Sequence, residues 1–309
     1  DAVKLYKETL ALQEAKLGPD HPDTLRSMNG LAVSYANRGH HADAVKLYKE
    51  SLTLQEAKLG PDHPDTFQTM YNLAISYAAL GRQADALKLR EETLALHTAR
   101  LGREHPRTLM SMNTVAWSYA ALGRHADALK LYQETLALQK ANLGPDHVGT
   151  LWSMWGVAHN LVKLNRGAEA LAVIDDCVRH ATAEHVAPRL LPCLMGLRLR
   201  HLKQARDAAG CQQTAEMWEN LKRTDRESLY NAARMRAVTA AVLRGTDLQS
   251  VLHARQAEAE ADRAMAWLKQ AIAAGYNNAA RLKKDKDLDA LRDRADFAKL
   301  VTRLEGIRD

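Results

Sequence analysis

Aromatic residues are scarce in this chain: Phe, Trp and Tyr make up 5% of its 309 residues, with only 2 Phe. A core built on large rings is therefore excluded, and the abundance of Ala and Leu favours helices packed through small side chains. Cysteine is nearly absent. Cys177, Cys193 and Cys211 lie far apart and are odd in number, which argues against a disulfide framework and fits a reducing, cytoplasmic setting. No apolar run approaches the ~18 residues that would span a bilayer, so no membrane partner is expected. Neither charge sign dominates: 43 Lys and Arg face 37 Asp and Glu, for a net charge of +6. The two signs are interspersed, which predicts a solvated mixed surface rather than a nucleic-acid footprint.

Catalytic signatures are missing as well. The chain holds no GxxxxGK[ST] loop, no GxGxxG, no HExxH and no GxSxG. RADF at 294–297 reads as helix rather than as a metal-binding kinase segment. The 13 histidines are spread through repeated loops and turns, and no cysteine pair has ligand spacing. The expectation is a protein that is not an enzyme and takes no cofactor and no metal.

What the chain does have is a repeat. LGPDHPDT occurs at 17–24 and 59–66, and returns as LGREHPRT at 101–108 and LGPDHVGT at 143–150. The histidines His21, His63, His105 and His147 fall at a constant interval of 42 residues. Before each loop stands a related segment, DAVKLYKETLALQEAKLG at 1–18 and its copies at 43–60, 85–102 and 127–144. A second segment type lies between them, seen as MYNLAISYAALGR at 70–82. Self-similarity on this scale is the mark of a solenoid. The chain opens on DAVKLYKETLALQEAKLG, the second half of a repeat, which predicts that half a repeat precedes Asp1.

Each segment has helical period. Met70, Leu73, Ala74, Tyr77 and Leu80 share one face, as do Ala86, Leu89, Thr93, Leu94 and Leu96. Gly39, Gly81 and Gly123 close the first helices in the left-handed conformation that glycine takes without penalty. In LGPDHPDT, Gly60 stops a helix, Pro61 blocks its continuation and Pro64 starts the next. Asp65 then sits beside the positive end of the new dipole. The loop thus reads as a hinge of fixed angle.

These residues resemble a known family. Leu73, Ala74, Tyr77, Gly81 and Ala86 match the tetratricopeptide repeat pattern, and the 42-residue length with its HPDT loop is similar to the variant of kinesin light chains and many bacterial signalling proteins. The resemblance covers residues 1–182. It implies an all-α, right-handed superhelical solenoid of antiparallel helix pairs. The fourth copy departs from the pattern: Val148-Gly149 replaces Pro-Asp, and Leu161 and Asn165 stand where Tyr and Gly stood. Residues 183–309 keep helical character without the period and read as degenerate pairs with a C-terminal capping segment. LYNAA at 229–233 with DRAMAWLKQAI at 262–272 is similar to one degenerate unit. The charge-rich ending resembles the terminal segment of bacterial serine/threonine kinases that carry such repeats. A polar outer face there would close the array.

One stripe carries a functional signal. Met28, Met70, Met112 and Met154 repeat at a core position, while their neighbours vary: Asn29, Tyr71, Asn113 and Trp155. Four residues on stand Val33, Ile75, Trp117 and His159, and three before stand Arg26, Gln68, Met110 and Trp152. In tetratricopeptide arrays this stripe lines the concave surface, so the resemblance implies a groove, and three of the chain's five tryptophans lie there. Exposed aromatics on a rigid face suit hot-spot binding. The competing reading packs Trp152 and Trp155 beneath the helices after 183. In the groove reading, the two asparagines would flank a stepped aromatic track and grip a peptide backbone. The expected function is non-catalytic binding of a peptide or protein surface within a larger signalling protein. The alternative is a self-assembly or intramolecular regulatory element of a multidomain kinase. Weak self-association is expected through the first helix, where Leu5, Leu10 and Leu12 would lack cover.

Overall fold

The computed structural model describes residues 2–181, 190–246 and 251–306. Every regular element among them is helical, without a strand. Contacts divide the chain into two compact units, residues 1–170 and 171–309.

The first unit is built from α1 (Ala2–Leu17), α2 (Pro22–Asn37), α3 (His41–Lys58), α4 (Pro64–Ala79), α5 (Gln83–Leu101), α6 (Pro106–Ala121), α7 (His125–Leu143) and α8 (Val148–Lys163). The next helix, α9 (Gly167–Ala181), begins in this unit. Each of α1 to α7 packs on its successor, and α2 also meets α4 as α6 meets α8. The even-numbered helices therefore form one layer and the odd-numbered ones the other. Small residues permit the close approach: Ala32, Ala74, Ala116 and Ala158 in one layer, and Ala44, Ala86 and Ala128 in the other, are fully or almost fully buried. The four repeated methionines are buried at the same level of each pair. Burial of such a side chain contributes ~1.5–3 kcal/mol. Leu80 leaves the expected face, because it is the C-cap of α4 and turns outward. On α1, Leu10 is covered by Met28 and Leu31, whereas Leu5 and Leu12 stay 65% and 61% exposed.

The repeated loop holds its angle by a left-handed glycine and two recurrent hydrogen bonds. Gly60, Gly102 and Gly144 take φ of 92°, 84° and 86°, in the left-handed region. His63 is the N-cap of α4, and its Nδ1 accepts the amide of Asp65 at 3.1 Å. His21, His105 and His147 do the same for their helices. Thr66 Oγ1 donates back to the Gly60 carbonyl at 2.9 Å, and Thr108 and Thr150 repeat that tie. In the fourth copy the histidine and threonine are retained, so α8 starts in register although Val148 has replaced proline. The turn after it survives too, because Asn165 adopts φ of 59° in the place of glycine. Asparagine reaches that region more easily than other residues with a Cβ.

The second unit contains α10 (Leu190–Gln204), α11 (Ala208–Glu219), α12 (Arg226–Thr246), α13 (Val251–Ala273), α14 (Ala279–Lys284), a short 3-10 turn (Lys286–Leu291) and α15 (Ala295–Glu305). The pair α12–α13 carries its core, with Tyr230 and Tyr276 stacked at 4.5 Å and 9°. Arg236, buried between them, is held by Glu219 and Glu260. The charged ending follows the same logic as any amphipathic cover. Leu282, Leu288, Leu291, Phe297, Val301 and Leu304 turn inward, while Arg294 pairs outward with Asp262 and Glu258.

Candidate functional site

The variable stripe lies on α4, α6 and α8, and the structure gathers much of it around one opening. An apolar cleft of about 720 Å³ is walled by Tyr71, Ile75, Met110, Asn113, Trp117, Trp152 and Trp155. Helical period explains the selection. Each wall residue sits one after, two before or five after a buried methionine, so it points just off the core seam. Trp117 is 50% exposed and Met110 54% exposed, values that mark surface rather than interior. The tryptophans form a connected platform. Trp117 stacks on Trp155 at 5.7 Å and 26°, and Trp152 meets Trp155 edge-on at 5.9 Å and 76°. His159 continues the stack on Trp155 at 5.1 Å, just outside the cleft lining. Offset and edge contacts of this kind hold the rings in place without covering their outer faces.

The other stripe residues stand apart. Gln68 lines an adjoining cleft of about 450 Å³ together with Tyr71 and Met110. Val33 is on the surface of α2, outside both clefts. Arg26 pairs with Asp23 at 3.1 Å and with Asp65 at 3.6 Å, so it ties α2 to α4. The asparagines also join neighbouring repeats. Asn29 Nδ2 donates to Thr69 at 2.7 Å, and its Oδ1 is buried, so it presents no acceptor to a peptide backbone. Asn113 accepts from Ser153 at 2.9 Å through its oxygen, and its amide nitrogen remains on the cleft wall.

Several lining residues escaped the stripe because they come from the other helix layer. Arg90 on α5 and Tyr132 and Gln139 on α7 do so, while Thr114, on α6 itself, lines both clefts. Burial raises the Tyr132 phenol well above its ordinary value, so it stays neutral. Burial lowers the Arg90 pKa, opposed by the nearby phenols of Tyr71 and Tyr132. In the adjoining cleft His97 is also pushed down, first by burial and then by Arg107 and His105. A sequence signal for both existed. Arg90 stands where Tyr6, Tyr48 and Tyr132 stand in the other copies, and His97 where Gln13, Gln55 and Gln139 stand.

Among the described residues, no three His, Cys, Asp or Glu side chains converge as a metal site would require. The three cysteines are free thiols, and among the described residues no helix is long and apolar enough to cross a membrane. The geometry is that of an α-helical repeat array offering a surface, a class in which the fold is typically a non-catalytic scaffold for protein contacts. The tetratricopeptide repeat model matches residues 1–57, 34–99, 84–141 and 118–183, and the chain belongs to that family. Its type is that of kinesin light chains. A protein of Podosopora anserina described as a kinesin light chain with nearly identical TPR-like repeats shares 28% identity over 58% of this chain and 84% of its own, at a TM-score of 0.52. BtubC (BKLC) of P. vanneervenii shares the fold at 16% identity over 89% of both chains, with a TM-score of 0.52. A Rap protein complexed with competence and sporulation factor does so at 14% identity over 88% of this chain and 70% of its own, with a TM-score of 0.50. No curated protein sequence matches the chain.

Proposed function

We propose that residues 1–182 form a non-catalytic module that binds a peptide segment of a partner protein in the cleft between Tyr71 and Trp155, and that 183–309 is a separate set of degenerate helical pairs with a C-terminal capping segment. The observation that carries this reading is the exposed tryptophan platform, preorganised by its own stacking in a chain that spends aromatics sparingly elsewhere. Such a platform can bury apolar area on a ligand with little ordering entropy of its own. The similarity of the charged ending to repeat-bearing bacterial kinases supports a cytoplasmic signalling setting for the module.

The test uses a peptide selected from a random dodecapeptide library on the whole chain. Trp117→Ala should weaken its binding by about 2 kcal/mol, roughly thirtyfold. The melting temperature should stay near that of the parent, since the ring is half in solvent. Met112→Ala should behave in the opposite manner and lower the melting temperature strongly. A Trp117→Ala protein that melts early yet binds fully would place the ring in the fold rather than in recognition.

The bare Leu5 and Leu12 on α1 favour a second reading, in which copies of the chain associate through that face. Sizing across a concentration series, repeated with Leu5→Gln and Leu12→Gln, separates this from peptide binding.

A further inference from the structure

The third copy departs from its siblings at three positions, and each exchange adds a group that carries or can take a positive charge. His97 stands where Gln13, Gln55 and Gln139 stand, and Arg90 where Tyr6, Tyr48 and Tyr132 stand. Arg107 stands where the first two copies have Asp23 and Asp65 and the fourth has Gly149. The fold brings the three together, because Arg90, His97 and Arg107 line one cleft between α4, α5 and α6. Among the described residues, Asp65 is the only carboxylate lining that cleft, and Arg26 already engages it. The N-cap of α6, His105, stands two residues before Arg107. Of the other charged groups about this joint, Arg100 pairs with Asp62 at 3.2 Å, Arg103 pairs with Glu134, and Glu104 is exposed.

Two imidazoles hold the start of α6 in place, and each does so as the neutral ring. His105 Nδ1 accepts the amide of Arg107 at 3.2 Å, a bond that a ring protonated on both nitrogens cannot make. His97 Nδ1 meets Ser111 of α6 at 2.7 Å, and its ring lies 3.9 Å from Phe67 of α4. An imidazolium there would carry an N–H on Nε2, which is buried with no partner. Burial, then Arg107 and His105, hold His97 below the ordinary imidazole value. The same joint is better protected in the other copies. Glutamine does not titrate, and Asp23 and Asp65 occupy the first turns of α2 and α4, where a carboxylate suits the helix dipole and offsets a charged cap. His21 lies 3.8 Å from the Asp23 carboxylate. The first turn of α6 has no acid and carries Arg107 instead.

We propose that the α5–α6 joint is an acid-sensitive switch of the array, in which protons taken by His97 and His105 release the first turn of α6 while the starts of α2, α4 and α8 hold. The new charges join Arg90 and Arg107 around one cleft, so like-charge repulsion adds to the lost cap. The released turn contributes Pro106 to one cleft and Arg107 to the other, so acidification reshapes both. The proposal stands on the geometry of the joint and does not depend on what either cleft binds.

Residue-resolved amide hydrogen exchange on the whole chain, corrected for intrinsic rates and run between about pH 7.5 and 5.5, tests this. The repeats supply matched amides, since Leu25, Phe67, Leu109 and Leu151 each donate to the carbonyl of their cap histidine at 3.0 or 3.1 Å. The opening equilibrium at Leu109 should rise roughly tenfold or more across that range. Leu25 and Phe67 should change least, with Leu151 between. The double exchange His97→Gln and Arg107→Asp gives the third copy the residues of the second, and should bring the rise at Leu109 down to that at Phe67. His105→Asn keeps a cap that does not titrate and should lower the rise in part, so the result does not depend on one variant folding. A rise at Leu109 no larger than at Phe67 in the parent, or one undiminished in both variants, would overturn the proposal.

Discussion

His97 is a packing residue whose burial disfavours its protonated form. It fills the place of the glutamines in the other copies: His97 Nδ1 meets Ser111 at 2.7 Å, as Gln139 Oε1 meets Ser153 at 2.5 Å. Its Nε2 is buried without a partner and its ring lies 3.9 Å from that of Phe67. Burial, with Arg107 and His105 nearby, disfavours the imidazolium, so the folded pKa lies below the unfolded value of about 6.5. The sign follows from linkage. Below that unfolded value the unfolded chain binds the extra proton first, so stability is complete above about pH 6.5 and falls as the pH drops towards the lowered folded pKa. His97→Gln should remove this component of the acid slope in urea midpoints measured between pH 5 and 7. An unchanged slope would mean that His97 is not what protonates. Arg90 and His97 were legible in the sequence only as departures from a repeat. They are the places where the third copy differs in chemistry from its neighbours, and a stripe counted along one helix cannot reveal a residue that arrives from the next layer.

At the scale of elements, the helices and their hinges were read almost completely from the sequence, because glycine and proline act locally. Two details were not. Histidine is an unusual N-cap, since the strong caps are Ser, Thr, Asp and Asn. Its role here depends on Nδ1 facing an amide two residues on, which spacing alone does not show. The fourth copy looked irregular because Pro, Gly and Tyr were gone, yet its cap histidine and its Thr150 tie suffice to hold the angle. Asn165 is the weakest joint in that series, with φ of 59° where Gly81 takes 76°. Two exchanges should therefore act with opposite sign. Asn165→Gly should stabilise by about 0.5–1 kcal/mol and raise the melting temperature by roughly 2 °C. Gly81→Ala has open space around the new methyl but the wrong φ, and should lower stability by about 1 kcal/mol. Equal melting temperatures for both variants and the parent would show that the turn conformation carries no strain.

For the molecule as a whole, repetition is what made the first unit readable and its loss is what obscured the second. Four copies allow core and surface to be separated by what stays and what varies, as with Met70 against Tyr71. Beyond residue 183 there is one copy of everything, so the pairing of Tyr230 with Tyr276, or of Arg236 with two acids, could not be foretold from pattern. The groove assignment depends on the first kind of evidence, and the measurement that tests it most directly is hydroxyl-radical footprinting of the whole chain with and without a selected peptide. Methionine and tryptophan are among the side chains most readily oxidised, and the cleft presents Met110, Trp117, Trp152 and Trp155 together. Peptide binding in the cleft predicts protection of these four, with Tyr71, and no change at Tyr119, which lines the opening on the α5–α7 side. Protection at Tyr119 with the four cleft residues still reactive would contradict it.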